Sequence, residues 1–125
     1  MPTVLWKNEP DDHDYPAAAG YLALLLQPNE VSTFLGRIAD APISTQKAKD
    51  ILRAARLPLL PPDNVHVQSD LDKIKHGDAL SPILMLRGQF ASDVALQIAD
   101  GYHRVCASYH VDEDTDIPCR ISDLG

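Results

Sequence analysis

The chain has 125 residues, 45% of them apolar and 23% charged, with a formal net charge of −7. This describes a single packed domain, able to bury roughly two-thirds of its extended surface without disulfide or metal, rather than a disordered tail. No apolar stretch approaches the roughly 20 residues of a membrane span, no basic-then-apolar leader opens the sequence, and the acidity opposes strong sequence-independent nucleic-acid binding, which depends on Lys and Arg; a cytoplasmic protein is expected.

The first dozen residues, with Pro2, Trp6, Pro10 and the run Asp11-Asp12-His13-Asp14, read as an extended arm that ends in a helix cap. Ala18, Tyr21, Leu22 and Leu25 recur at helical spacing after Pro16, which predicts a first helix from about Tyr15 to Gln27. Pro28 and Asn29 break it, and Val31, Phe34, Leu35 and Ile38 give a second helix closed by Asp40-Ala41-Pro42. Thr45 is placed to cap a third, whose apolar stripe is Ala48, Ile51, Leu52 and Ala55. Lys49, Arg53 and Arg56 share one face of that helix, which is either a solvated face or the wall of an anion site.

The prolines of Leu57-Pro58-Leu59-Leu60-Pro61-Pro62-Asp63-Asn64 end the helix and leave a short edge strand or a linker wrapped on the core. A fourth helix fits Val67 to Lys75, with Gly77 at its C-terminal end and Lys73, Lys75 and His76 where the dipole favours cations. Ile83-Leu84-Met85-Leu86 reads as a strand, Gly88 to Asp93 as a loop, Val94 to Ala99 as a further strand and Tyr102 to Val111 as a fifth helix. An acidic turn, Asp112 to Asp116, leads to a last strand, Ile117 to Ile121, whose Pro118 suits an edge or a strand start. Cys106 and Cys119 lack any Cys-x-x-Cys spacing and read as reduced core thiols.

Chemistry concentrates at Asp100-Gly101-Tyr102-His103-Arg104, where a strand stops at a glycine and turns at once into a helix. Such a junction offers free backbone N–H groups, the positive end of a helix dipole and a guanidinium, which together suit a phosphate or another anion. Arg104 opposes the dipole at that position, so a compensating anion is expected: a ligand, or an internal carboxylate such as Asp100. On this reading Arg104→Ala leaves the unliganded fold intact or slightly firmer. No metal site is expected, since His103 and His110 would need further ligands and the carboxylates of Asp11, Asp12 and Asp14 are explained by capping.

The segment from about Leu57 to Ile121 resembles the ParB/sulfiredoxin-like superfamily. The resemblance rests on Leu59-Leu60-Pro61, the helix end Leu71 to Gly77, Ser81-Pro82-Ile83-Leu84-Met85, Asp100-Gly101-Tyr102-His103-Arg104 and Ile117-Pro118-Cys119-Arg120, in that order. It implies that Gly101, His103 and Arg104 bind the phosphates of a nucleotide such as ATP, ADP or CTP; Tyr102, within the same junction, joins them as a candidate ligand-binding residue, and phosphoryl transfer would call for Mg²⁺ to neutralise the phosphates. A sulfiredoxin's reactive cysteine would stand where this chain has Tyr102, so sulfinic-acid repair is not expected. ParB partition proteins carry an acidic-Arg-Arg version of the box and a helix-turn-helix downstream; this chain departs from that box, so DNA partitioning is not expected.

The expected fold is α+β: a small mixed sheet of three or four strands from residues 57–125, covered by the fourth and fifth helices and by an N-terminal helical segment, 1–56. The expected function is nucleotide or phosphate binding, extending to phosphoryl transfer or hydrolysis. Asp100 and Asp63 are the candidate catalytic carboxylates, and Arg53, Arg56 and Lys73 the candidate supporting cations. The alternative is a non-enzymatic module for a protein partner or homodimer, in which the glycine junction is a structural cap.

Overall fold

The computed structural model describes residues 2–124. In chain order the elements are α1 (Asp14–Leu22), α2 (Pro28–Asp40), β1 (Ser44–Lys47), α3 (Ala48–Ala55), α4 (Val65–Lys75), β2 (Ile83–Leu86), β3 (Gln97–Asp100), α5 (Tyr102–Val111) and β4 (Asp116–Ser122). The four strands form one mixed sheet in the order β1-β4-β2-β3. β4 runs antiparallel to β1 and parallel to β2, and β3 returns antiparallel to β2. The fold is a small α+β fold, as expected.

Strand periodicity explains the layers. In β2, Ile83 and Met85 point to one face and Leu84 and Leu86 to the other, and all four are buried. Ile83 and Met85 join a core with Ile51, Leu52, Val67, Leu71, Ile74, Val105, Cys106, Ile117 and Cys119, which brings α3, α4 and α5 onto that face. Leu84, Leu86 and Ala99 meet Ala18, Leu22 and Ile38, so α1 and α2 cover the opposite face. A strand buried on both faces reads as a continuous apolar run, as β2 does.

Several elements differ from the sequence expectation. α1 ends at Leu22 rather than near Gln27, and residues 23–26 follow as tighter turns. Pro28 holds Gln27 extended (ψ 157°) as the first residue of α2, and Leu24 is 82% exposed, with no face to bury. Thr45 caps no helix: it lies in β1, opposite Pro118 of β4, and α3 begins three residues later at Ala48. The N-terminal portion therefore supplies a strand as well as helices. β3 begins at Gln97 rather than Val94, because Val94 pairs with Gln89 across a tight loop and the Leu96 N–H bonds to the Ala54 carbonyl. β4 is an interior strand; its pairing with β2 starts only at Cys119, so Pro118 sits where β4 has β1 as its sole neighbour.

Residues 57–64 hold no strand and form the linker of the two alternatives. This linker wraps α5, whose Tyr102 hydroxyl donates to the Pro58 carbonyl (2.5 Å), while a ring nitrogen of His110 lies 2.7 Å from the Leu60 carbonyl oxygen. The N-terminal arm is tied down too: Trp6 bridges Leu80 in parallel, with Lys7 N–H to Leu80 O and Leu80 N–H to Leu5 O, both 2.8 Å. That bridge carries the start of α1 to the head of β2.

Candidate functional site

Gly101 stands between β3 and α5 with φ +114°, a backbone that L side chains rarely adopt. A Cβ there would lie 2.3 Å from Ile83 Cδ1 and 3.0 Å from an Arg104 terminal nitrogen, so space as well as torsion requires glycine. No side chain caps α5. Its first turn opens on a cleft of about 450 Å³ lined from both halves of the chain, by Lys7, Asp11, His13 and Asp14 near α1, His66, Asp70 and Lys73 of α4, Ser81 before β2, and Asp100, Gly101, His103 and Arg104.

Arg104 is only 13% exposed and does not reach into solvent. One terminal nitrogen bonds Asp100 Oδ2 at 2.5 Å; the other donates to the Ser81 carbonyl at 2.7 Å and lies 3.6 Å from Asp14 Oδ2. The anion that compensates Arg104 is therefore internal, Asp100 with Asp14, and the expectation that its removal would firm the unliganded fold is corrected. Burial, with the charge of Asp14 nearby, raises the Asp100 carboxyl above its ordinary range against the opposing pull of Arg104.

His66 and His103 come from the first turns of α4 and α5 and meet with ring centroids 4.7 Å apart. Burial and the neighbouring His66 ring lower the affinity of His103 for its proton, and Asp70 works against them. Asp70, one turn after His66 and 13% exposed, has its carboxyl raised by burial, with Lys73 at 3.9 Å the largest opposing influence.

Of the residues singled out from the sequence, Asp100, Gly101, His103, Arg104 and Lys73 line this cleft. Tyr102 does not; its hydroxyl holds the Pro58 linker instead. Asp63 lies exposed in the turn before α4, outside the cleft. Arg53 and Arg56 line a different cavity, of about 470 Å³, floored by Ile51, Met85, Leu96 and Ile121. The shared cationic face is also undone, since Lys49 pairs with Asp114, Arg53 with Asp50, and Arg56, left-handed at φ 57° beyond the end of α3, with Asp93. Cys106 and Cys119 are buried and unpaired, and burial raises both thiols.

Sequence reasoning missed Lys7, His66, Asp70 and Ser81, and assigned Asp14 to capping alone. The spacing 66, 70, 73 places His66, Asp70 and Lys73 on one helical face and was a readable signal. Asp14 and Ser81 carried none, because only the Trp6–Leu80 bridge brings them to Arg104. Comparison with models of known families, with curated proteins and with solved structures finds no match. No helix among the described residues is long and apolar enough to cross a membrane.

Proposed function

We propose that the cleft at the start of α5 binds a phosphate-bearing small molecule, a nucleotide such as ATP, ADP or CTP, in the manner that the ParB/sulfiredoxin-like resemblance implies. The observation that carries this reading is the uncapped first turn of α5, opening beside His66, His103, Lys73 and Lys7 onto a cleft of nucleotide size. Backbone N–H groups would receive phosphate oxygens, Lys73 and Lys7 would neutralise charge, and Arg104 would act from behind by fixing Gly101 and Asp100. A nucleotide brings Mg²⁺, which takes oxygen ligands; the Asp11 and Asp14 carboxylates on the α1 wall are of that kind. Phosphoryl transfer or hydrolysis would draw on Asp100, whose carboxyl holds its proton more tightly than usual and lines the same space. This activity belongs to the cytoplasm, where nucleotides are abundant.

One observation favours the alternative of a structural cap in a partner-binding or homodimeric module: every contact of the Arg104 guanidinium is internal. Thermal unfolding with ATP, ADP, CTP and GTP, each with Mg²⁺, and with inorganic phosphate separates the two. A nucleotide at a hundred times its dissociation constant adds about 2.7 kcal/mol and raises the melting temperature by several degrees. The double variant His103→Ala/Lys73→Ala is expected to lose that rise. No shift with any of the five ligands would hand the site to the structural reading.

A further inference from the structure

A second cavity, of about 470 Å³, lies at the end of β2 away from the α5 cleft and shares no lining residue with it. Its floor is apolar. Met85 and Ile121 pair across β2 and β4, and Ile51 of α3 and Leu96 before β3 complete the surface; α3 is only eight residues long and stops before it covers this end of the sheet. The rim carries Arg53, Arg56 and Arg87, three of the six arginines of a chain whose net charge is −7, and Asp50 is the sole acid among the described lining residues. We propose that this cavity binds a small organic acid, its carboxylate held by the rim arginines and its aromatic or aliphatic body laid on the floor beside Phe90.

Phe90 lines the cavity yet is 97% exposed, and its position is imposed by the chain. Gln89 and Val94 exchange backbone hydrogen bonds, both 2.9 Å, which closes residues 90–93 into a tight loop. A Cβ on Gly88 would lie 2.4 Å from the Val94 carbonyl oxygen, so only glycine permits so close an approach. Arg56 and Asp93, the two non-glycine residues with left-handed backbone among those described (both φ 57°), are joined by an ion pair of 2.6 Å beside the cavity. Backbone of this kind costs free energy and collects at ligand sites. A large aromatic side chain held in water next to an apolar floor is satisfied by a ligand body that covers both.

The head group follows from the charges. Arg53, Arg56 and Arg87 pair with Asp50, Asp93 and Asp123, but each of these pairs is exposed and contributes little. An entering carboxylate therefore takes the place of a side-chain carboxylate without stranding a buried charge. A guanidinium receives a carboxylate through two parallel hydrogen bonds. Phosphate suits the rim less well, because α3 meets it at Arg53 and Arg56 with its C-terminal, negative end, the reverse of the helix start that phosphates favour. The volume agrees, since pockets for small molecules run from about 300 to 1,000 Å³.

Calorimetric titration of the whole chain, without nucleotide, with 2-naphthoate and with octanoate tests the assignment and separates an aromatic from an aliphatic body. At least one of the two acids is expected to bind saturably, one per chain. The corresponding alcohol, which lacks the charge, and acetate, which lacks the body, should bind roughly tenfold or more weakly. Arg53→Gln/Arg87→Gln should weaken the acid by about the same factor and Phe90→Ala by about threefold; all three positions are exposed, so both variants keep the parent melting curve. Absence of saturable binding of both acids, an alcohol that binds as tightly as its acid, or an affinity unchanged in either variant overturns the assignment. None of these results bears on the nucleotide reading, whose cleft and ligands are different.

Discussion

α4 and α5 enter the same cleft by their first turns, and the two ends are finished differently. Asn64 closes α4: its Oδ1 accepts from the N–H groups of His66 at 3.0 Å and Val67 at 3.2 Å. α5 follows Gly101, which has no side chain with which to do the same, and Arg104 turns away from the helix end to Asp100 and Asp14. One helix satisfies its own terminus locally. The other leaves its donors facing the cleft and holds its position by ion pairing to the adjoining strand end and to α1 instead, so an uncapped terminus and a stable one are compatible when the anchor lies behind it.

The contrast breaks most visibly at Arg104. Arg104→Ala leaves Asp14 and Asp100 buried without a cation, a loss of about 3–5 kcal/mol. Circular dichroism should show the melting temperature falling by roughly 10 °C or more; an unchanged melt would mean that α5 is not anchored from behind. Asn64→Ala, which deletes a local cap, is expected to cost about 1 kcal/mol and to leave any nucleotide-induced shift intact. Loss of that shift would make the α4 terminus part of the binding site.

The smallest effect concerns Asp70 of α4. Because burial raises its carboxyl, the folded chain keeps this proton after the unfolded chain has lost it. The stability it contributes is present below the ordinary value of 3.8 and is lost as pH rises through the raised one. Asp70→Asn should therefore match the parent protein in acid and melt slightly higher near neutral pH. Melting curves across that range check the sign, and a variant that melts lower near neutrality would show that Lys73 outweighs burial.

What was legible in the chain was local. Ile83 to Leu86 reads as a buried strand because four apolar residues stand between Pro82 and Arg87-Gly88, and α5 reads from Gly101 and the spacing of Tyr102, Val105, Cys106 and Tyr109. Asp100 as the partner of Arg104 was legible too, being four residues away on the adjoining strand end. β1 was not, since Ser-Thr-Gln-Lys has no strand pattern of its own and is extended because β4 offers it an edge. The second partner of Arg104, Asp14, was equally hidden, because its position depends on the pairing of Trp6 with Leu80. Arg53 and Arg56 misled because a helical face was drawn through Arg56, which has already left the helix.

The strand order bears on how the chain assembles as it is made. β4 is the last of the four strands in sequence, yet it sits between β1 and β2. During synthesis, which proceeds at about 5–20 residues per second, β1 and one edge of β2 must wait with unpaired backbone until β4 emerges. An unpaired strand edge invites pairing with another chain. The polar Ser-Thr-Gln-Lys of β1, ending in a lysine, makes a poor template for such pairing, so the residues that disguise β1 as a strand also keep the nascent sheet from being completed by a stranger.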